Sequence, residues 1–387
     1  MDRRDFLRSS LYAGTLAAIG TGAAPAAWAA SSPKSPQDPQ HINRSVILMG
    51  DDVPRYGRDV LARMDAILQT RDKAGDFYLK RGAVEELEQR FAKLLGKEDA
   101  AFMPTGTLAN QVALRLLCGE KKRALVQQES HVYCDESDAV TTLSAINLVP
   151  LAPGRAAPTL EEVDAAIAVS EKAAYPLPIG AISLESPVRR ADGAMVPFET
   201  VRAIAERARA KGIGLHLDGA RLLLNSGAEG FTAAAYAAPF DTVYVSLYKY
   251  LGAPFGAILA GDKGTVAKAR DMRHIFGGTI FHGWQAALLA LDGLDGFEQR
   301  FAKVRAAGDR LLDGLSKVDG YAVRRVEHGT NIHFLEIAEG RRADLRARLE
   351  KAGVLIGEPR DGRLALTFNE TLLRKPVDAI VKAFAAA

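Results

Sequence analysis

Apolar positions along this chain fall into two alternating rhythms. AVEELEQRFAKLLG (Ala83–Gly96) places them at helical spacing and ends in glycine, a helix-stop signal. DAAFMP (Asp99–Pro104) is a short strand-like run. The helical rhythm returns in GTLANQVALRLLCG (Gly106–Gly119) and in VPFETVRAIAERARAKG (Val196–Gly212). Strand patterns appear in RALVQQ (Arg123–Gln128), AISLES (Ala181–Ser186), GLHLDGAR (Gly214–Arg221), DTVYVSLYK (Asp241–Lys249) and PFGAILAG (Pro254–Gly261). Strands interleaved with helices predict an α/β fold, a mostly parallel sheet covered by helices on both faces. Near 290–314 the pattern turns helical. From Tyr321 it becomes a mixed tail: TNIHFLEI, a helix around Arg341–Lys351, RLALTFN and a final helix. The expected division is a large domain over 81–290 and a smaller α+β domain over 291–387. Residues 30–80 form a preceding segment whose pattern specifies no element.

The first residues follow neither rhythm. Arg3 and Arg4 are followed by Phe6 and Leu7, then by an Ala/Gly-rich run from Leu11 to Ala24. Ala27-Trp28-Ala29 is an A-x-A cleavage signal. Charged, apolar and small in that order describe a secretory leader, 1–29, too short and too rich in glycine for a bilayer span. The arginine pair before Phe-Leu resembles a twin-arginine export signal. The expected location is therefore periplasmic or secreted, with no membrane anchor once the leader is removed.

Composition narrows the function classes. The 387 residues carry 50 basic and 47 acidic side chains, a net charge of +3. No basic footprint for nucleic acid is visible. The two cysteines, Cys118 and Cys134, make neither a disulfide framework nor a metal site by themselves, though a single pair stays open.

Chemistry concentrates where strands end. Asp218, in HLDGAR (His216–Arg221), ends a strand, where ligands of parallel sheets bind. Gly219 permits a tight turn, and Arg221 follows two residues later. Alone, this is also what a loop ion pair looks like. Lys249 lies at the next strand end, in the apolar stretch VSLYKYLGAPFG (Val245–Gly256), with Gly252, Pro254 and Gly256 forcing a turn after it. A lysine in a dry pocket loses its proton more readily and becomes a nucleophile. An amine and a carboxylate in one crevice outline a pyridoxal phosphate site: the amine bonds the aldehyde, and the carboxylate keeps the ring nitrogen protonated. Thr105-Gly106-Thr107, between a strand and a helix start, would cradle the phosphate. The same residues are ordinary capping residues. His131, after the strand RALVQQ, could lie on the ring and handle a proton.

Together PTGTLANQVAL, ESHVY, LHLDGARL and SLYKYLGAPFGAILAG resemble the threonine aldolase family of β-eliminating lyases, with the fold type I architecture of pyridoxal phosphate enzymes. The resemblance implies that Lys249 bonds the cofactor, Asp218 faces the pyridinium, Gly106 and Thr107 bind phosphate and His131 stacks on the ring. It also implies that Arg221 and Arg363 bind the substrate carboxylate, as guanidinium groups do through paired hydrogen bonds. The chain departs from the family elsewhere. HINRSVILMGDDV lacks the Asp-x-x-Ser-Asp-Thr start, and DFYLKRGAVEELE keeps only Tyr78 of another segment. Pro187, Val188 and Arg189 replace the run that carries a second histidine. Tyr248 stands where a serine usually precedes the lysine, and GGTIFHG (Gly277–Gly283) lacks an arginine.

The expected activity is cleavage of the Cα–Cβ bond of a β-hydroxy-α-amino acid, with His131 or a water it holds as base. Two alternatives stay open. One is β-elimination, racemisation or transamination of another amino acid, to which an apolar entrance from Phe281 and Trp284 would be suited. The other is an inactive exported binding protein that keeps the fold. The resemblance further implies a small-molecule amino acid substrate and a homodimer or homotetramer.

Overall fold

The computed structural model describes residues 39–71 and 74–386. The expected leader lies outside the described residues. Strand β1 (Val46–Ile47) comes first. Then follow β2 (Asp99–Met103), β3 (Arg123–Gln127), β4 (Asn147–Leu151), β5 (Ile179–Glu185), β6 (Gly214–Asp218), β7 (Thr242–Ser246) and β8 (Ala257–Gly261). These last seven form one sheet in the order β2-β8-β7-β6-β5-β3-β4. From β4 to β7 all neighbours are parallel, whereas β8 runs antiparallel to both β7 and β2. The architecture is the expected α/β sheet. Every residue of β5 is buried, as in a central strand covered on both faces.

Parallel pairing decides where the chemistry goes. In register, Glu185 lies beside Asp218 and Asp218 beside Tyr244. Aligned partners in a parallel sheet point to the same face, so three adjacent strands present one row of polar side chains at their carboxyl ends.

One expectation needs correction. Lys249 is not on a strand end. Strand β7 stops at Ser246, where its pairing with Ala257 of β8 closes the ladder, and Lys249 sits three residues on, in the turn to β8. Gly252 (φ 76°) and Gly256 (φ 108°) take left-handed conformations in that turn. A Cβ on Gly256 would stand 2.8 Å from the Phe102 ring, so the turn needs glycine there for space as well as for backbone.

Other elements escaped the hydrophobic pattern. Strand β4, NLVPL, contains Pro150, which an edge strand tolerates because one side needs no ladder donors. The helix Leu160–Glu171 starts at a capping box on Thr159 and Glu162. The helix Gly57–Leu68 buries no residue fully. The helix expected around 341–351 is two helices, Glu339–Arg342 and Leu345–Lys351, interrupted at Asp344 (φ 53°). Cys118 is buried, Cys134 is exposed, and both are free.

The C-terminal strands are β9 (Tyr321–Arg324), β10 (Ile332–Ile337), β11 (Val354–Leu355) and β12 (Arg363–Thr367). β12, β10 and β9 form a small antiparallel sheet. Strand β11 pairs in parallel with β1, so the N-terminal segment is built onto C-terminal elements. From Gln40 onward the chain is one compact unit. Buried Asn369 fastens this junction: its Nδ2 donates to the Ile47 and Gly50 carbonyls, each at 3.0 Å. Thr371 adds a hydroxyl that accepts from the Ile47 N–H at 2.8 Å.

Asn369→Leu strands those two carbonyls. It should cost about 1–3 kcal/mol, read as a lower urea midpoint at unchanged slope. An unchanged midpoint would show that the clamp is not needed for stability.

Candidate active site

The site starts from Asp218, which ends β6 and is 2% exposed. Its Oδ1 accepts from the Ala220 N–H at 3.1 Å, and its Oδ2 accepts from Asn110 Nδ2 at 2.9 Å. The same Asn110 nitrogen donates to Glu136 Oε1 at 2.8 Å. With both amide protons given to carboxylates, Asn110 Oδ1 must accept. It takes the proton of buried His216 Nε2 at 3.0 Å. His216 Nδ1 is then the acceptor for the Thr242 hydroxyl at 2.8 Å. Burial pushes the His216 pKa down to about 4, which keeps the imidazole neutral, as this chain of bonds requires.

Asn110 thereby couples Asp218 to His131. Glu136, held by Asn110, accepts from His131 Nδ1 at 3.1 Å. That bond, foremost, raises the His131 pKa above its ordinary value. The His131 backbone N–H donates to Glu185 Oε2 at 2.6 Å, and the Arg189 N–H donates to Glu185 Oε1 at 3.0 Å. Burial, with repulsion from Asp218 next, pushes the Glu185 pKa up to about 7 despite those two donors.

Lys249 is half-buried beside this group. Burial draws its pKa down to about 8, and Arg221 adds to the effect. Asp218, Glu185 and Asp51 oppose it without cancelling it. Arg221 Nε is held by Asp51 Oδ2 at 2.6 Å, and Asp51 Oδ1 accepts from Asn331 Nδ2 at 3.2 Å.

Gly106 opens the helix Gly106–Cys118, and Thr105 is its N-cap. The Thr105 hydroxyl accepts from the Leu108 N–H at 3.1 Å, which leaves its own proton for an anion. The first N–H groups of a helix have no partner within it and favour negative charge. A Cβ at Gly106 would stand 2.0 Å from the Tyr244 hydroxyl, so only glycine fits beneath this helix start. Fully buried Ser246, ending β7 on the same face as Tyr244, has a hydroxyl that lies close to the Tyr244 hydroxyl but makes no hydrogen bond of ordinary geometry among the described residues. An amine prone to lose its proton, a carboxylate locked by an amide, a glycine-floored helix start and a buried hydroxyl together fit an aldehyde-bearing pyridine with a phosphate arm.

Lys249, Asp218, His131 and Arg221 thus gather in one electrostatic cluster. Arg363 does not join it by any hydrogen bond or ion pair among the described residues. It opens β12, exposed, with its guanidinium 4.5 Å from the Phe334 ring centroid. The opposite end of β12 is the one tied to the N-terminal segment, through the Thr367 N–H on the Leu48 carbonyl. Phe281 is exposed and packs edge-on against Phe77 and Tyr78. Where a second histidine was absent from the sequence, Val188 is fully buried, and Arg189 and Arg190 both pair with Asp135.

Asn110, Glu136, Glu185 and Asp51 were not singled out from sequence. Asn110 and Gln111 are a polar pair inside an apolar helix pattern, and Glu185 ends a strand as Asp218 does, so both left a signal. Asp51 left none, because its partner Arg221 is distant in sequence.

This assembly defines a pyridoxal phosphate enzyme of fold type I. The chain matches the beta-eliminating lyase family model over residues 48–339 and belongs to that family. It is similar to the low specificity L-threonine aldolase of Escherichia coli K12, 28% identical over 80% of this chain and 90% of that one. It is similar as well to low-specificity L-threonine aldolase 1 of Arabidopsis thaliana, at 26% over 77% and 85%. Alanine racemase TOXG of Cochliobolus carbonum is 28% identical over 72% and 73%. Among solved structures, a protein from Exiguobacterium sp. 255-15 assigned as an aromatic amino acid beta-eliminating lyase/threonine aldolase superposes with a TM-score of 0.74. It is 26% identical, over 90% of this chain and 98% of that one.

Two outcomes check the site. Arylation of Lys249 by trinitrobenzenesulfonate in the cofactor-free protein should rise with pH around a midpoint near 8. A midpoint near that of a free lysine, about 10.4, would contradict the assigned environment. Asn110→Leu removes a donor from two carboxylates. Hydrogen bonds to charged groups contribute about 1.5–3 kcal/mol, so pyridoxal phosphate should bind at least about tenfold more weakly in a spectral titration. Unchanged affinity would make the amide bridge dispensable.

Proposed function

We propose that this chain cleaves the Cα–Cβ bond of a β-hydroxy-α-amino acid, releasing glycine and an aldehyde. The observation that carries the reading is the Lys249 amine, drawn to a pKa of about 8 beside Asp218 and Arg221. The family supplies the prior, and the threonine aldolases among its relatives give the bond. Pyridoxal phosphate, when bound, supplies an electron sink for the breaking bond. The protein's own residues do the rest. Asp218, fixed by Asn110, keeps negative charge where the ring nitrogen needs it. Arg221, with Arg363 as second candidate, holds the substrate carboxylate. Glu136 accepts the hydrogen bond from His131 Nδ1–H, so neutral His131 keeps its proton there and offers Nε2 to the β-hydroxyl or to a water. Because the Glu136 bond raises the His131 pKa, this base becomes available at higher pH than an ordinary imidazole would.

Purified protein should release aldehyde from at least one of threonine, allo-threonine and phenylserine, with a rate that climbs with pH as His131 deprotonates. His131→Asn should lower kcat by about 10²–10⁴ while cofactor absorbance persists. Absence of aldehyde from all three would remove the aldolase reading. Racemisation is the second reading, favoured by the similarity to alanine racemase TOXG. It would show as solvent deuterium entering alanine at Cα with no aldehyde formed. The inactive-protein reading would hold if no cofactor bound.

Export through the twin-arginine-like leader is part of the proposal, supported by Arg3, Arg4 and the Ala27-Trp28-Ala29 signal. Replacing both arginines with lysine should leave folded, active protein in the cytoplasm. Normal export of that variant would argue for another route. Assembly as a homodimer or homotetramer is proposed on the resemblance, supported by the exposed aromatic trio Phe77, Tyr78 and Phe281.

A further inference from the structure

A cavity of about 490 Å³ lies outside the cluster around Lys249. It is bounded by the loop Met195–Phe198, by parts of the segment Asn225–Tyr236 and by the small-sheet residues around His333. None of the candidate active-site residues lines it. Its volume is in the usual range for small-molecule sites, about 300–1,000 Å³.

One wall is aromatic. Phe231 and Phe198 flank Tyr236 at ring-centroid distances of 6.1 and 5.8 Å. The polar end is made of donors. Arg305, half-buried on the helix Phe297–Leu315, gives Nη2 to Asn225 Oδ1 at 2.8 Å. Its Nε is buried with no hydrogen-bond partner among the described residues, and Asp309, which acts on it electrostatically, forms its ion pair with Arg325 instead. Arg325 differs: it is already paired with Asp309 and Asp313. His333 Nδ1 accepts from the Val326 N–H at 3.3 Å, so its proton is on Nε2. Burial lowers the His333 pKa to about 4, which makes it a neutral donor. The one carboxylate lining the cavity is Glu229, which is exposed.

A guanidinium taken out of water without a counter-ion is costly, and an anion placed against it offsets the cost. We infer that this cavity is a binding site, separate from the catalytic one, for a monocarboxylate bearing a flat apolar group. The carboxylate rests on Arg305, and the apolar group lies against Phe231 and Tyr236. The one acid acting on Arg305, Asp309, is already paired with Arg325, so a ligand carboxylate would supply the close partner that Arg305 lacks.

Calorimetric titration of the cofactor-loaded protein with phenylacetate tests this, with 2-phenylethylamine as the charge-reversed control. Phenylacetate should bind with Kd in the millimolar range or tighter (about −4 kcal/mol at 1 mM), and the amine at least tenfold more weakly. Arg305→Met should weaken phenylacetate at least tenfold. Arg221→Met should leave it unchanged, since Arg221 belongs to the catalytic cluster. Should Arg305→Met not fold, Ala235→Trp fills the cavity from its exposed rim and should abolish binding. The inference is overturned if phenylacetate does not bind, if the amine binds equally well, if Ala235→Trp has no effect, or if binding is lost in Arg221→Met and kept in Arg305→Met.

Discussion

One amide holds the catalytic edge together. Asp218 and Glu136 are both buried, and Asn110 gives each of them a proton from a single nitrogen. Two buried carboxylates this close would otherwise repel and take up protons. The bridge lets both serve as acceptors, Glu136 toward His131 and Asp218, in the proposed site, toward a pyridine nitrogen. The amide can do this only because His216 satisfies its oxygen, and His216 can donate only because Thr242 satisfies its other nitrogen. Asp218, Asn110 and His216 are matched at every polar side-chain atom, which favours one geometry for the network, while Glu136 keeps its buried Oε2 without a partner among the described residues.

A second constraint comes from the far end of the chain. Asn369 and Thr371 fasten the N-terminal segment to C-terminal elements, and that segment carries Asp51 to Arg221. The charge balance around Lys249 therefore depends on residues at both ends of the described chain. Arg221 helps to strip Lys249 of its proton, while Asp51 opposes that effect and holds Arg221 in place. The amine's reactivity reflects this balance together with its burial.

Much of this is legible in the sequence. The alternating rhythms gave the central strands and their helices, because central parallel strands are continuously apolar and amphipathic helices are periodic. HLDGAR and the stretch around Lys249 gave the reactive pair, because strand ends in a parallel sheet converge on one crevice. What was not legible depends on pairing across distance. Lys249 was expected on a strand, but the antiparallel return of β8 ends β7 at Ser246. Asp51 looked like one acid in an unpatterned loop, and only packing brings it to Arg221. Strand β4 was hidden by Pro150, which is harmless at an edge. Arg363 was carried by resemblance, and its position over Phe334 is a property of the small sheet that no local motif records.

The central claim is that Lys249 is the residue that bonds the cofactor. Borohydride reduction of the purified protein followed by peptide mass spectrometry tests it most directly. A reduced pyridoxyl phosphate mass is expected on the peptide that contains Lys249 and on no other. A label on a different lysine, or none after loading with pyridoxal phosphate, would contradict it.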